Sequence, residues 1–341
     1  MAKEITKDPN KEFYETIKLT DIKGLGEVVT TQLQSIGIVS IVDLAVADAE
    51  LISGLRGISK DNAIYFILAA QRLLRENNQL TPEFCTAYDV LEKRKKVIKI
   101  KTGSSDFDKL LYGGIETMSL TEFYGEFGSG KSQVCHTLCV NATLPIEQGG
   151  ANSGSIYIDT EGTFRPERLR QIATAKGLDP DEVEKKVRYC QIFNASHLEL
   201  TIRNLGGEIE RLKPKLVIID SIISLHKAEY TGRGQLAERQ QKLNPMMHHL
   251  IKLCEMYNIA VVMTNQVIAN PDTTYGVDPV KPSGGNIIGH ISTYRIYLRR
   301  SGKNRMARII DSPYHPYSDV KFKVTEAGVE DLSDSEKKGT E

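Results

Sequence analysis

The chain has 341 residues, 40% of them hydrophobic and 26% charged, a globular composition that supports one core of roughly 200–250 residues beside a smaller module and excludes disorder throughout. No stretch approaches the ~18 consecutive apolar residues of a membrane span, and the opening MAKEITKDPNKEF carries charges where a signal peptide has an apolar run, so a cytoplasmic protein with no membrane association is expected. Forty-four Lys/Arg balance forty-four Asp/Glu, which at first sight excludes the basic surface typical of nucleic-acid binding.

That balance is a sum over unlike parts. Residues 1–80 hold nine basic and eleven acidic side chains, residues 81–323 hold thirty-three and twenty-seven, and residues 324–341 hold two and six. A basic surface can therefore exist on the middle of a neutral chain. Five cysteines (Cys85, Cys135, Cys139, Cys190, Cys254) with no C-x-x-C pair indicate neither a disulfide framework nor a zinc site and read as small core hydrophobes.

In chain order, residues 1–18 are polar and patternless and read as a flexible arm. Apolar spacings of three and four from Leu19 to about residue 75 predict a small all-α module. It contains two Gly-centred turns, Lys23-Gly24-Leu25-Gly26 and Leu55-Arg56-Gly57-Ile58-Ser59. Each is either a phosphate-binding turn at a helix N-terminus or a plain connection. Residues 76–100 are polar, with Lys93-Arg94-Lys95-Lys96, and read as a linker.

Beyond it, SLTEFYG, GSIYIDT, VRYCQIF, KLVIID, IAVVMTNQV, TYRIYLRR and ARIIDS alternate with helical stretches over residues 101–329. Such continuously apolar runs predict an α/β core whose mostly parallel sheet is covered on both faces. The tail 330–341 is polar and acidic and is expected to be disordered.

The chemistry concentrates at the ends of these runs. Gly125-Glu126-Phe127-Gly128-Ser129-Gly130-Lys131-Ser132 fits G-x-x-x-x-G-K-[ST] in full between a predicted strand and a predicted helix. Glycines allow the loop to curl its amides onto a phosphate, Lys131 reaches the β- and γ-oxygens, and Ser132 supplies a hydroxyl for Mg²⁺. Asp220, closing Leu216–Asp220, is the matching carboxylate for the metal. Glu161, just past Ser155–Asp159, is the candidate base that polarises an attacking water, with helix capping or a surface ion pair as the alternative for it and for Asp159. Thr264-Asn265-Gln266 places amides at a fourth strand end, where they can sense a γ-phosphate.

Two further segments suit another partner. Residues 226–242 hold four basic and two acidic groups and one tyrosine, and residues 268–285 are rich in Gly, Pro, Asp and Thr. Both are expected to be long loops, either a track for single-stranded nucleic acid or merely solvated.

GEFGSGKSQ at 125–133, DTEGTFRPERL at 159–169, EYTGRGQLAERQQKL at 229–243, TNQV at 264–267, KPSGGNIIGH at 281–290 and DSP at 311–313 together resemble the archaeal RadA recombinases, strand-exchange proteins with a RecA-like P-loop ATPase core. The resemblance runs from about Leu19 to Val329. It implies a helix-hairpin-helix domain at 19–75 and an F-x-x-A polymerisation motif in Phe84 and Ala87. It also implies an ATP site that includes Gln133, with Arg168 on the adenine and Asp311 and Pro313 covering the nucleotide of the next subunit. Lys227, Tyr230, Arg233 and Arg239 match the first DNA loop; Gly284, Gly285 and Asn286 match the end of the second; Gln266 and His290 match residues linking the γ-phosphate to those loops.

The implied protein is a DNA-dependent ATPase that forms filaments on single-stranded DNA, with ATP and Mg²⁺, and pairs that strand with a homologous duplex. Recombination mediators are implied as further partners. The chain departs from the family pattern at Ser132 (usually Thr), at Lys227 (commonly Arg), at Asn270-Pro271-Asp272 and at Tyr314-His315-Pro316-Tyr317. Two rivals remain open on sequence: a ring-forming helicase or clock-type ATPase of the same fold, and a recombination accessory that holds ATP as a structural ligand.

Overall fold

The structure, a computed structural model, describes residues 17–77, 79–269 and 280–338. The N-terminal arm up to residue 16 and the second-loop residues 270–279, with Asn270-Pro271-Asp272, lie outside the described residues. The chain divides into two compact units, Met1–Glu92 with Arg203–Leu212, and Lys93–Ile202 with Lys213–Glu341.

The smaller unit is helical: Glu27–Ser35, Ile41–Val46, Ala49–Ser53 and Lys60–Glu76, joined by Leu205–Leu212. Side-chain caps fix the starts. Ser40 accepts from Asp43 N, Asp48 from Glu50 N, and Ser59 from Asn62 N, each pairing an amide that the first turn leaves without a partner. Leu33, Ile41, Leu44, Ile52 and Leu74 form a fully buried centre. Both Gly-centred turns lead directly into helices, with Gly24 at φ 95° and Gly57 at φ 81°, a region open to glycine at little cost.

Asp43 sits in this unit with its Oδ2 accepting from the amides of Val39 and Ser40 while its buried Oδ1 has no partner. Burial, reinforced by the charge of Glu210, pushes its carboxyl up to about 7. A carboxyl raised above its unfolded value binds an extra proton in the folded state, so the contribution of Asp43 to stability is greatest at low pH and falls as pH rises from about 4 towards 7, by at most ~1.4 kcal/mol per pH unit. Circular-dichroism melts should therefore show a lower melting temperature at pH 8 than at pH 5, and Asp43→Asn should flatten that difference.

The larger unit is built on a nine-stranded sheet: β1 (Ser119–Tyr124), β2 (Ser155–Asp159), β3 (Val187–Gln191), β4 (Leu216–Asp220), β5 (Ala260–Asn265), β6 (Tyr294–Ser301), β7 (Asn304–Asp311), β8 (Asp319–Thr325) and β9 (Gly328–Asp331). The spatial order is β9-β8-β7-β6-β1-β5-β4-β2-β3. Pairs from β6 through β1 to β3 are parallel, and those from β6 out to β9 antiparallel. Strands β1, β2, β4 and β5 are buried at every residue, as a sheet covered on both faces requires. All seven predicted runs lie on strands β1 to β7.

Three expectations need correction. The tail is ordered past residue 330: β9 continues to Asp331 and a helix follows over Asp334–Lys338. Its one leucine, Leu332, is buried, and Asp331 accepts from Ser104 Oγ at 2.6 Å and from the amides of Ser105 and Asp106 at 3.0 Å. Burial alone would raise that carboxyl; these donors hold it at about 2. Second, the 76–100 linker contains a helix, Ala87–Arg94, because Thr86 and Asp89 cap it reciprocally. Third, residues 226–242 are mostly helical rather than a long loop: Ser224–Glu229, a 3-10 turn at Arg233–Gln235 and Leu236–Tyr257, following the strong helix formers in QLAERQQKL.

Candidate nucleotide site and DNA-facing segments

Strand β1 turns sharply at Gly125 into the helix Lys131–Ala142. Gly125 has no room for a side chain, since a Cβ there would lie 2.0 Å from Leu298 O. Gly128 and Gly130 adopt φ of 73° and 104°, which leaves the loop's amides turned inward as a cradle for an anion. Lys131 Nζ donates to Gly125 O at 2.8 Å and Glu126 O at 3.0 Å. Burial lowers its pKa, while Asp220 and Glu161 act in the opposite sense, so the two carboxylates read from sequence both bear on the loop lysine.

The two acidic strand ends do different work. Asp159 Oδ1 accepts from the amides of Glu161 (3.0 Å), Gly162 (2.8 Å) and Thr163 (3.3 Å), and Oδ2 from Phe164 N (3.0 Å). It is a capping carboxylate that folds the 160–164 turn. Phe164 anchors the same turn by packing among Tyr157, His136 and Tyr189. Glu161 is thereby held exposed at the tip, with Oε1 accepting from Gln266 Nε2 at 3.0 Å.

Asp220 is buried, with Oδ2 accepting from Tyr157 OH at 2.7 Å and Oδ1 from Thr264 Oγ1. Tyr157 escaped the sequence reading, and Thr264 entered it only within Thr264-Asn265-Gln266 and not as a partner of Asp220, because each looks like an ordinary residue of a buried strand. The register places them there: Tyr157 pairs with Ile218 on β4 and Thr264 with Phe123 on β1.

Mg²⁺ fits this donor set. Asp220 and Ser132 offer only hard oxygen ligands, and among the described residues there is no cluster of three His, Cys, Asp or Glu to cage an ion. Mg²⁺ prefers one or two protein oxygens completed by phosphate and water.

Arg168 Nε donates to Gln133 Oε1 at 2.8 Å, and its other nitrogens reach Thr325 O at 2.5 Å and Glu326 O at 3.2 Å. The guanidinium plane is thus fixed beside the loop helix. Asp311 and Pro313 lie elsewhere. Strand β7 begins near the loop, with Arg305 against Gly130, and ends at Asp311, opposite Arg295, six residues or about 20 Å away. The turn after Asp311 is stiffened by Ser312 Oγ on His315 Nδ1 at 2.7 Å and by Tyr314 OH on Glu116.

Gln266 also anchors the base of the second candidate DNA loop, residues 268–285. Its carbonyl accepts from Ser283 N at 2.8 Å, at the base of a ribbon pairing Val267–Ala269 with Val280–Pro282. Asn265 Nδ2 donates to Ser283 O at 2.7 Å and to Glu122 Oε1 at 2.6 Å, and Glu122 is held by Arg295 Nε at 2.7 Å. Gly284 O in turn accepts from Gln240 Nε2 at 2.8 Å. Gly284 and Gly285, with φ of 90° and 68°, open the helix Gly285–Ile291 that carries Asn286 and the exposed His290.

On the first segment Lys227 is exposed and Tyr230 stacks on the buried His226 at 6.0 Å. Arg233 lies in the 3-10 turn and Arg239 on the following helix. Phe84, in contrast, is 95% exposed, and the helix beginning at Ala87 buries none of its residues.

Comparison with known proteins adds two findings. The family model described as Rad51 matches residues 93–332. A relative from Cenarchaeum symbiosum (strain A), a DNA repair and recombination protein RadA, is 43% identical over 321 residues, covering 94% of this chain and 80% of its own.

Proposed function

The chain belongs to the Rad51 family, and from that premise we propose how its residues divide the work of hydrolysing ATP and holding DNA. The protein is a recombinase: a DNA-dependent ATPase of DNA repair and recombination that forms oligomeric filaments on DNA and carries out strand exchange. Residues Gly125–Ser132 and Gln133 cradle the phosphates, and Arg168 supports the adenine. Mg²⁺, held by Ser132 and Asp220, would neutralise charge on the β- and γ-oxygens.

Glu161 orients and polarises the attacking water. Gln266 occupies only its Oε1, which leaves Oε2 to accept the water's proton. The observation that carries this reading is the continuous path Glu161–Gln266–Ser283–Gly284–Gln240. It runs from the proposed base through the second DNA segment to the helix of the first. A change in the γ-phosphate at Glu161 therefore reaches Gly284, Gly285 and Asn286 and, through Gln240, the helix that carries Arg239, through contacts that hydrolysis can break; Lys227, Tyr230 and Arg233 lie in the same candidate DNA segment, before that helix.

Asp311 and Pro313 lie a strand's length from the loop of their own chain, which is consistent with the role the family resemblance implies for them, covering the nucleotide of the neighbouring subunit; in this reading ATP completes the filament contact made by Phe84 and Ala87. Recombination mediators are the further partners of this reading. Its setting is the cytoplasm, where the DNA lies; among the described residues no helix is long and apolar enough to cross a membrane. The Gly-turn helices of the smaller unit would capture duplex DNA.

A strand-pairing assay with labelled homologous and heterologous duplexes, with and without ATP, tests the whole. Pairing of the homologous duplex alone is expected; ATP-driven translocation without pairing would point to a motor. Lys131→Ala should abolish ATP-supported filaments in sedimentation and electron microscopy.

A further inference from the structure

The β6–β7 hairpin beside the phosphate loop carries Arg295, Arg299, Arg300, Lys303, Arg305 and Arg308, and no acidic residue lies between Tyr294 and Ile310. Arg300 and Arg305 occupy directly opposed positions on the two strands, an arrangement in which like charges repel. Arg295 and Arg308 are neutralised by Glu122 and Asp319. Among the described residues no carboxylate pairs with Arg300 or Arg305.

Both side chains lie on the loop glycines instead. Arg300 Nε donates to Gly128 O at 3.2 Å, and its Nη2 would stand 2.1 Å from a Cβ at Gly128. Arg305 runs 3.6–3.8 Å from where a Cβ at Gly130 would be. Its Nη1 donates to the carbonyls of Lys303 and Asn304, but its Nε is buried with no acceptor. Ser129, between the two glycines and 1% exposed, likewise has a hydroxyl without a partner. Buried polar groups left unpaired are destabilising, as at Arg305 Nε and the Ser129 hydroxyl, and the exposed Arg300 opposite Arg305 adds like-charge repulsion. An anion seated there would relieve both.

We propose that Arg300 and Arg305 form, with Ser129, an anion seat for the α- and β-phosphates of the bound nucleotide. The proposal rests on the assignment of Gly125–Ser132 as the ATP loop. Sheet order decides which phosphates are held. Glu161 and Asp220 come from β2 and β4, on the β5 side of β1, whereas the arginines come from β6 and β7 on its other side. The γ-phosphate faces Glu161, so the arginines hold the portion that remains after hydrolysis. They act on ATP and ADP alike.

Titrating fluorescent ADP and ATP analogues into the full chain tests this with Arg300→Ala, Arg305→Ala and Arg305→Lys. Each alanine variant should weaken both nucleotides about ten- to hundredfold, with Arg305→Lys recovering part of the loss. The nucleotide-free melting temperature should hold or rise, because a repulsion is removed. Unchanged ADP affinity in both alanine variants overturns the proposal, as does a loss confined to ATP or a fall in the nucleotide-free melting temperature. So does a loss seen only in single-stranded DNA binding without nucleotide, which would make the hairpin a DNA surface. Lys131→Ala separates the two levels: if it binds ADP normally the ATP-loop assignment itself fails, and if it alone loses ADP only the arginine seat fails.

Discussion

Glu161→Gln should reduce ATP turnover by about 10²- to 10⁴-fold, the usual worth of a positioned base, while ATP binding and ATP-supported filaments persist. Gln keeps the length of the side chain and an oxygen able to accept from Gln266, so the path to the DNA-facing segments survives and only proton acceptance is lost. Asp159 cannot substitute, because its two oxygens are already engaged by four backbone amides of the 160–164 turn. Asp220 cannot either, with each oxygen taking a hydroxyl from Tyr157 or Thr264. Phosphate release at saturating ATP and single-stranded DNA measures the loss, and electron microscopy after a chase with competitor DNA measures filament persistence. Turnover within a few-fold of the parent would place the base elsewhere.

The core was legible because its signals are local. Seven strands announced themselves as apolar-rich runs, four of them buried at every residue, and the phosphate loop as eight consecutive residues. Strands β8 and β9 did not: Asp319–Thr325 alternates charged and apolar residues on a half-buried strand next to the sheet edge, and Gly328–Asp331 looks like the start of a solvated tail until Asp331 meets the amides of Ser105 and Asp106 from more than two hundred residues away. The site was legible in its charged members and opaque in its supports. Glu161 could be read from its place after a strand, but the fact that Asp159 shapes its turn depends on backbone amides that no residue pattern displays. Tyr157 and Thr264 grip Asp220 only through the register of three strands. The helical nature of residues 226–242 was obscured by GRG, whose glycines break the pattern just before a strong helix former begins.

Phe84→Glu should leave monomers that still fold, with ATP hydrolysis lost as a secondary consequence. Phe84 is 95% exposed, and Tyr88 and Leu91 on the adjoining helix are 68% and 57% exposed, so among the described residues these side chains are left largely uncovered. Burying a phenylalanine is worth roughly 1.5–3 kcal/mol, and a carboxylate forced into the same apolar pocket costs several kcal/mol more. Because the residue contributes nothing to the core of its own chain, circular dichroism and the melting temperature of the variant should match the parent. In the proposed filament each subunit both gives and receives this contact, so the loss recurs at every joint and assembly collapses rather than shortens. Hydrolysis falls with it, because in the proposed filament Asp311 and Pro313 complete a neighbour's nucleotide site. Equilibrium sedimentation with ATP and DNA should show a single monomer mass. Normal assembly would mean that the exposed phenylalanine serves some other contact and that the subunits join through another surface, whereas a lowered melting temperature would return Phe84 to the packing of its own chain.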